Sequence, residues 1–336
     1  MKRPAVLAAL LLCLPLAACG EKQETISPAG SHAQPITLML DWFPNADHVG
    51  IYDALANGDF SKAGLQVHVE VPSNPSSPLQ LLAAGKVDAA ISYEPEVLLA
   101  RNQNQPLVSV AAIVQEPLTS IVSVGSKHIR TAAQLRGKRV GDAGIPYQHA
   151  YLETILAHEG ITAGSVKETN VGDNLVPAML SGKVDATLGA YWNYEAVQLA
   201  QMGKHPNVIR MNQVGVPTYD ELVLVVREST LAKHPDEIRR LVQALARGYE
   251  AVRSDPTAAV ANLVKANPGL DKKFQSAAVR ATLPAFFPSN PRNPWGWQNQ
   301  TQWNAYGQWM LSNHLISNPT AVIDASTNEE LAGQGL

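Results

Sequence analysis

The residues best suited to chemistry in this chain lie together in one short loop, at positions 40–50. The loop offers a carboxylate, an indole, an amide and an imidazole, on Asp41, Trp42, Asn45 and His48. An indole stacks on flat rings, whereas carboxylate and amide groups pair with the donors and acceptors at a ring's edge. This set predicts a site for a planar, polar, nitrogen-rich small molecule. The alternative is that Trp42 is a core residue and that Asp41 and Asn45 only cap the loop.

The elements on either side explain how such a loop would be positioned. Ile36–Leu40 is predicted to be a short apolar strand, and Val49–Leu55 has the apolar spacing of a helix. In open α/β sheets, ligands bind outside the carboxyl ends of the strands, where helix amino ends supply free N–H groups. We therefore expect the loop to face the ligand.

An internal repeat indicates that the chain contains two related lobes. The segment Leu81–Ala90 recurs as Ala178–Thr187, 97 residues later. Each copy is typical of a helix ended by glycine, followed by Lys-Val-Asp and then a strand. A repeat of this length is too long for a solenoid and fits two similar lobes.

The strands that follow the two copies carry further candidate site residues. The first strand leads to Tyr93 and Glu94, and the second leads to Tyr191, Trp192 and Glu195. Equivalent strand ends in two lobes would face each other across a cleft, so these aromatic and acidic side chains would act as a clamp. The alternative is that each aromatic residue packs inside its own lobe.

The rest of the chain predicts an α/β fold, because apolar strands alternate with helical patterns. We assign 35–121 and 218–336 to lobe 1 and 122–217 to lobe 2, joined by two crossings that form a hinge. The remaining predicted strands are Leu65–Val71, Ala89–Ser92, Leu107–Ile113, Ile121–Val124, Arg139–Asp142, Val166–Asn170, Ala186–Ala190 and Leu222–Arg227.

The amino-terminal segment predicts export and a lipid anchor. Residues 1–18 have a basic start, an apolar run and small residues before Cys19, as a secretory signal does. The four residues 16–19 resemble the bacterial lipobox, whose cysteine is acylated, and 19–34 is typical of a flexible tether. We therefore expect an extracytoplasmic protein that is anchored by lipid to the bacterial cell membrane. A plain cleavable signal with an accidental cysteine is the alternative.

Composition excludes several classes of function. The chain has two cysteines, Cys13 and Cys19, so the mature body would have no disulfide, cysteine-based metal site or cysteine nucleophile. Its formal net charge of −3 gives no electrostatic footprint for nucleic acid. The glycine-rich nucleotide motifs, the metalloprotease motif and the hydrolase Gly-x-Ser-x-Gly motif do not occur. We expect no cofactor and no metal.

The chain resembles substrate-binding lipoproteins of ABC importers in the thiamine-pyrimidine (NMT1/THI5-like) family. This resemblance implies a type II periplasmic-binding-protein clamshell, in which each lobe is a mixed sheet flanked by helices. It further implies a monomer that closes on a ligand and docks on a permease driven by an ATPase. The resemblance is carried by residues 40–50, 74–76, 85–88, 93–96, 189–193 and 219–222.

Family members with the closest pattern bind formylaminopyrimidine or hydroxymethylpyrimidine, and a sister branch takes riboflavin. The resemblance thus implies capture of a pyrimidine precursor of thiamine for import, with riboflavin, thiamine or another heterocycle as the alternative. A ligand sensor without transport is a further possibility. The ligand-binding residues that we assign are Asp41, Trp42, Asn45, His48, Tyr93, Glu94, Tyr147, Tyr191, Trp192, Glu195 and Tyr219.

An enzyme on the same scaffold is the main competing class. The family's eukaryotic pyrimidine synthases hold pyridoxal phosphate on a lysine four positions after the repeat's aspartate, and they consume a histidine eight positions after it. Counted from Asp88, these positions are Ser92 and Glu96 here. The cysteine-rich segment of those enzymes corresponds to 214–218, which has no cysteine. We therefore predict a binding protein and not an enzyme.

One more loop bears on the charge of the ligand. Residues 141–146 precede a helix that is predicted to begin at Pro146, and a helix amino end can bind an anion. Asp142 has the wrong charge for a phosphate, and neither residues 141–146 nor the helix predicted after them contain a lysine or arginine. We therefore expect an unphosphorylated ligand.

Overall fold

The computed structural model describes residues 33–334. Within this range the chain forms ten strands and twelve α-helices. The strands are β1 Gln34–Met39, β2 Leu65–Glu70, β3 Ala89–Ser92, β4 Leu107–Val114, β5 Thr119–Ser123, β6 Arg139–Asp142, β7 Lys167–Asn170, β8 Ala186–Tyr191, β9 Asn207–Arg210 and β10 Leu222–Arg227. The helices are α1 Val49–Ala56, α2 Asp59–Lys62, α3 Pro78–Ala83, α4 Glu94–Asn102, α5 Pro146–His158, α6 Leu175–Leu180, α7 Glu195–Gln201, α8 Glu228–Lys233, α9 Pro235–Ser254, α10 Pro256–Ala266, α11 Lys272–Thr282 and α12 Gln300–Ser312.

The strands form two five-stranded mixed sheets with the same topology. The first sheet has the order β2-β1-β3-β10-β4, and the second has the order β7-β6-β8-β5-β9. In each sheet one strand, β10 or β5, is antiparallel to its neighbours. These two strands follow the crossings of the chain from one sheet to the other. We use lobe 1 and lobe 2 for the parts of the chain around the first and the second sheet.

The repeated Lys-Val-Asp segment has the same structural role in both lobes. In lobe 1, the carboxylate of Asp88 accepts a hydrogen bond from the backbone N–H of Thr37 in β1, at 2.8 Å. In lobe 2, the carboxylate of Asp185 accepts one from the N–H of Arg139 in β6, at 3.0 Å. Each aspartate thus ties the third strand of its sheet to the first strand. The repeated segment therefore has equivalent positions in two lobes of the same architecture, as predicted.

The two crossings lie side by side and are joined by one buried carboxylate. Glu221 accepts hydrogen bonds from the backbone N–H groups of Leu118 and Thr119, at 2.6 and 2.8 Å. The Thr119 hydroxyl, at 2.8 Å, and the Tyr219 hydroxyl, at 3.1 Å, also donate to it. Hydrogen bonds to a charged group contribute more than neutral ones, so Glu221 holds the two crossings together.

The first crossing occupies residues 115–118, between β4 and β5. Our predicted lobe boundary after Ile121 falls inside β5, which pairs only with the lobe 2 strands β8 and β9 among the described residues. The boundary after residue 217 lies in the second crossing, ahead of β10. The lobe ranges 35–121, 122–217 and 218–336 otherwise stay predictions.

The predicted α/β two-lobed fold is confirmed, and the predicted strands correspond to strands of the structure within a few residues. The strand β9 was not predicted, because it is a short, half-buried edge strand without an apolar run. The predicted helix start at Pro146 is the start of α5. The signal 1–18, Cys19 and nearly all of the tether 19–34 lie outside the described residues. No helix among residues 33–334 has the length and apolar character that crossing a bilayer requires.

Candidate ligand-binding site

A cavity lies between the two lobes, at the carboxyl ends of β1, β6 and β8. Its empty volume, counted out to its opening, is about 400 Å³. Lobe 1 contributes Asp41, Trp42, Asn45 and Tyr93, and lobe 2 contributes Ala143, Ile145, Gln148, Leu175, Gly189, Tyr191, Tyr194 and Glu195. We call this space the inner cavity.

On the lobe 1 side, the carboxylate of Asp41 is held by two buried neighbours. Its Oδ1 lies 2.7 Å from Nε2 of His48, and its Oδ2 accepts a hydrogen bond from the Tyr93 hydroxyl at 2.8 Å. The backbone N–H of Asn45 donates to Nδ1 of His48 at 3.3 Å, so Nε2 is the nitrogen that donates to Asp41. His48 therefore acts from behind Asp41 and orients it toward the cavity.

On the lobe 2 side, Glu195 is the facing carboxylate. It begins α7, and its Oε2 accepts a hydrogen bond from the backbone N–H of Tyr191 at 2.7 Å. Burial raises the pKa of Glu195 to about 7, although its backbone hydrogen bonds oppose the shift. Near neutral pH this group can therefore either donate or accept a proton.

The structure brings six of the eleven predicted site residues together at the inner cavity and places the other five elsewhere. Those at the cavity are Asp41, Trp42, Asn45, Tyr93, Tyr191 and Glu195. Those that do not line it are His48, Glu94, Tyr147, Trp192 and Tyr219. The position of His48 behind Asp41 is described above.

Glu94, Tyr147 and Tyr219 are buried where the lobes meet the hinge. Glu94 accepts a hydrogen bond from the backbone N–H of Asp220 at 2.7 Å, and burial raises its pKa well above its usual range. The Tyr219 hydroxyl donates to Glu221. Tyr147 packs edge-on against Tyr93, with 5.8 Å between ring centroids. These three residues contact Tyr93 or residues of the second crossing, and they do not line the cavity.

Trp192 points away from the inner cavity, toward the first crossing. Its indole N–H donates to the backbone carbonyl of Pro117 at 2.9 Å, and the guanidinium of Arg210 lies 4.1 Å from its ring centroid. The adjacent Tyr191 takes the position at the cavity. Aromatic residues from both lobes thus line the cavity, and of the pair Tyr191 and Trp192 only Tyr191 does so.

Sequence analysis missed two polar residues of the cavity wall, Gln148 and Tyr194. Gln148 lies in the first turn of α5 and accepts a hydrogen bond from the backbone N–H of Ala143 at 2.8 Å. A Cβ at Gly189 would lie 2.3 Å from its amide nitrogen, so only glycine fits opposite it. The helix start at Pro146 was the available signal for Gln148, because it follows the carboxyl end of β6.

The lobes also meet directly, through a group that we call the latch: Asp47, Asn193 and Thr282. The side-chain amide of Asn193, in lobe 2, donates to Oδ1 of Asp47 at 2.7 Å and to the Thr282 hydroxyl at 2.6 Å, both in lobe 1. All three side chains are buried. Oδ2 of Asp47 and Oδ1 of Asn193 have no hydrogen-bond partner among the described residues. The structure is therefore a closed form, with the lobes in contact.

Desolvation by burial raises the pKa of Asp47 to about 7. Nearby His48 lowers this pKa, Asp41 raises it, and the hydrogen bonds from Thr282 and Asn193 lower it. Burial in the closed form therefore favours a protonated Asp47, whereas the hydrogen bonds from Asn193 and Thr282 favour the carboxylate.

Comparison with known proteins agrees with this architecture. The family model described as NMT1/THI5 like matches residues 45–259. The formylaminopyrimidine-binding protein of Halalkalibacterium halodurans is 32% identical, over 97% of this chain and 98% of its own. A putative thiamine biosynthesis protein of Haemophilus influenzae is 34% identical, over 77% and 82%. The 4-amino-5-hydroxymethyl-2-methylpyrimidine phosphate synthase THI5 of Saccharomyces cerevisiae is 26% identical, over 70% and 72%.

Solved structures share the fold at lower identity. The alkanesulfonate-binding protein SsuA of Xanthomonas axonopodis pv. citri matches with a TM-score of 0.68 and 14% identity, covering 88% of this chain and 98% of its own. The periplasmic aliphatic sulphonate binding protein SsuA of Escherichia coli matches with a TM-score of 0.66 and 16% identity, covering 87% and 90%. The fold is therefore that of periplasmic binding proteins.

These matches support the prediction of a solute-binding protein and not an enzyme. The relative that aligns almost end to end is a binding protein, whereas the synthase matches at lower identity and over a shorter length. The family model and the near full-length relative together lead to one conclusion. This chain belongs to the NMT1/THI5-like family.

Proposed function

We propose that this protein is the solute-binding component of an ABC importer and that it binds an unphosphorylated aminopyrimidine in the inner cavity. Formylaminopyrimidine and hydroxymethylpyrimidine are the compounds that we expect. The observation that carries the proposal is the meeting of aromatic and acidic side chains from both lobes in one buried space. The formylaminopyrimidine-binding relative supports the same ligand class.

The aromatic residues suit the flat faces of such a ligand. Trp42 and Tyr93 from lobe 1 and Tyr191 from lobe 2 all line the inner cavity. Stacked or edge-to-face ring pairs contribute about 0.5–1.5 kcal/mol each beyond the burial of area. Two such contacts would supply a part of the roughly 8 kcal/mol that micromolar binding requires.

Glu195 suits the edge of the ligand. An aminopyrimidine carries a ring nitrogen, which accepts a hydrogen bond, next to an exocyclic amine, which donates one. A protonated carboxyl group offers the matching pair, because its O–H donates while its other oxygen accepts. The raised pKa of Glu195, about 7, makes this protonated form available at neutral pH. Asp41, held by His48 and Tyr93, can accept from a further N–H of the ligand.

Delivery to the importer follows from closure of the two lobes. A ligand that contacts both lobes makes all its contacts only when they are closed, so binding favours the closed form. We propose that a permease and its ATPase recognise this form, and that a lipid on Cys19 keeps the monomeric protein at the membrane. The alternative, a sensor without transport, predicts no permease and ATPase genes beside this one.

The first test compares Glu195→Gln with Glu195→Ala by calorimetry against hydroxymethylpyrimidine, formylaminopyrimidine, thiamine and riboflavin. A glutamine amide also donates and accepts side by side, so Glu195→Gln should stay within a few-fold of the parent's Kd. Glu195→Ala removes both bonds and should weaken binding about tenfold or more, on the order of 1.4 kcal/mol.

The pH dependence separates this role from a purely structural one. Above about pH 7, the parent's complex holds one proton more than free Glu195 and free ligand, so Kd should rise up to about tenfold per pH unit. Glu195→Gln should lose that part of the rise. The comparison is made in an Asp47→Asn background, because Asp47 titrates in the same range, with Glu159→Gln on the exposed surface as the control. Parent-like binding by Glu195→Ala would contradict the proposal.

A further inference from the structure

A second space, which we call the outer hollow, opens beside the inner cavity at the mouth of the cleft. Its empty volume is about 750 Å³. Leu175, Tyr194 and Glu195 line both spaces, so the two spaces adjoin at these residues. An arm of a ligand in the inner cavity would reach the outer hollow by passing Tyr194 and Glu195.

Three aromatic rings from both lobes form one side of the outer hollow. The rings of Phe43 and Tyr194 have centroids 6.3 Å apart, and those of Tyr194 and Phe274 are 4.7 Å apart. Phe43 and Phe274 belong to lobe 1, whereas Tyr194 belongs to lobe 2. The proposed pyrimidine has one ring, which we place in the inner cavity, so binding of that ring does not use this second aromatic surface.

The charges at the rim of the outer hollow are negative. They are the carboxylates of Asp173 and Asp271, which are both exposed. Among the described residues, no lysine or arginine lines either the outer hollow or the inner cavity. Lys272 and Lys273 follow Asp271 in the chain, but they are exposed and do not line the space.

An unpartnered polar atom adds an independent sign of a ligand. Gln275 lines the outer hollow, and its side chain is buried, with 1% of its surface exposed. Its amide nitrogen donates to the Tyr194 hydroxyl at 3.1 Å, but its Oε1 has no hydrogen-bond partner within residues 33–334. A buried carbonyl oxygen without a donor is costly, and a positively polarised ligand group would relieve that cost.

We propose that the outer hollow receives a cationic aromatic group carried on the methylene arm of the pyrimidine, such as a thiazolium ring. Aromatic faces and carboxylates together attract a cation, whereas an anionic arm meets only like charge. The inference rests on the proposed function, because the pyrimidine must first occupy the inner cavity. Pairing of its amine with Glu195 directs the neighbouring arm along Tyr194 into the hollow.

The test compares three probes that share the aminopyrimidine ring and differ in the charge of the arm. Calorimetry is run with hydroxymethylpyrimidine, which is neutral, with thiamine, whose thiazolium is cationic, and with hydroxymethylpyrimidine phosphate, which is anionic. At low salt we expect thiamine to bind on the order of tenfold more tightly than the neutral compound, and the phosphate to bind more weakly. Salt should reduce the advantage of thiamine, because the rim carboxylates are exposed.

Variants test whether the outer hollow is responsible for the tighter binding of thiamine. Asp173→Asn combined with Asp271→Asn, and separately Phe274→Leu, should lower thiamine affinity several-fold and leave hydroxymethylpyrimidine unchanged. Asparagine still caps the start of α11, so the double variant should fold. Asp236→Asn, on the exposed face of α9, is the matched control.

The inference would be overturned if thiamine bound no more tightly than the neutral compound. It would also be overturned if the variants of the outer hollow did not reduce the tighter binding of thiamine. Failure of all three probes to bind would instead contradict the proposed function and, with it, this inference.

Discussion

Asp41 faces the inner cavity and is held in position by two neighbours, only one of which lines the cavity. Tyr93 lines the cavity itself, whereas His48 is buried behind the loop and contacts Asp41 through Nε2. A buried hydrogen bond of this kind fixes the direction of an acceptor more than it adds to overall stability. His48 is therefore a positioning residue in the proposed site.

We expect His48→Ala to weaken pyrimidine binding about tenfold, although His48 does not line the cavity. The substitution leaves Oδ1 of Asp41 and the N–H of Asn45 without partners, which costs about 1–3 kcal/mol for a buried group. Calorimetry measures the affinity, and thermal unfolding measures the stability. Asp41→Asn is the companion variant: its amide oxygen can still accept from His48, whereas its NH2 can only donate to the Tyr93 hydroxyl, and the charge is removed. A His48→Ala protein that loses stability but binds like the parent would assign His48 a structural role alone.

The neighbouring pair Tyr191 and Trp192 should separate binding from stability. We expect Trp192→Phe to lower the free energy of unfolding by about 1 kcal/mol, because the hydrogen bond to the Pro117 carbonyl is lost. Its ligand affinity should change little, because the indole points to the first crossing. Tyr191→Ala is the comparison and should weaken binding. A large loss of affinity in Trp192→Phe would place the indole in the site after all.

Among the secondary-structure elements, the short segment between β8 and α7 connects binding to closure. It follows Tyr191, which ends β8 at the inner cavity, and it contains Asn193 of the latch, which reaches the opposite lobe. A ligand held by Tyr191 and Glu195 therefore also orders the segment that makes the contact between lobes. Closure and binding should be coupled through this one segment.

The latch should make closure sensitive to pH. Burial in the closed form raises the pKa of Asp47 to about 7, and we expect opening to hydrate Asp47 and return its pKa toward the ordinary value. Closing would then take up a proton between these two pKa values. Closure is thus favoured at low pH and loses that advantage as pH rises through about 7. Asp41, His48, Glu195, Tyr194 and Tyr249 are the titratable groups around Asp47.

We expect Asp47→Asn to close as readily at about pH 8 as the parent does at about pH 6, because an asparagine mimics the protonated acid toward Asn193. Asn193→Ala should release ligand faster at every pH, since both hydrogen bonds of the latch amide to lobe 1 are lost. Stopped-flow fluorescence of ligand release measures both effects. A parent protein whose release rate does not vary with pH would contradict the role of Asp47.

In the molecule as a whole, the hinge consists of two crossings that must bend together. Glu221 is fully buried and accepts three hydrogen bonds that join them, from Leu118 and Thr119, and a fourth from Tyr219 in its own crossing. Because these bonds lie within the hinge and not between the moving faces, they can persist while the lobes open and close. We therefore expect the two lobes to move as rigid bodies about a single hinge formed by the two joined crossings.

We expect Glu221→Ala to lower the free energy of unfolding by at least about 3 kcal/mol, because several buried donors lose their acceptor. Glu221→Gln should be far milder, since its carbonyl can take the backbone donors while the Thr119 hydroxyl turns to accept. Chemical denaturation measures both variants, and X-ray scattering with and without ligand checks that the conservative variant still closes. Equal stability of the two variants would show that the crossings do not depend on this carboxylate.

Local patterns in the chain were sufficient for the fold and for part of the site. The Lys-Val-Asp repeat predicted two lobes because Asp88 and Asp185 perform the same local task in each sheet. The loop with Asp41 and the segment with Glu195 were identified because they follow apolar strands, whose ends lie at the ligand edge of such sheets. These features depend on short-range periodicity and turns, which a single chain segment already contains.

Only the tertiary structure decided which side chains reach the inner cavity. Tyr191 faces the cleft, whereas the adjacent Trp192 faces the hinge. The difference arises because the first crossing provides the Pro117 carbonyl to which the Trp192 indole donates. Glu94, Tyr147 and Tyr219 share their segments' aromatic and acidic character, yet they are buried near the hinge. The latch and the outer hollow join residues that are far apart in the chain, such as Asp47 with Asn193 and Tyr194 with Phe274. Such contacts depend on how the two lobes are oriented about the hinge, and no local pattern encodes that orientation.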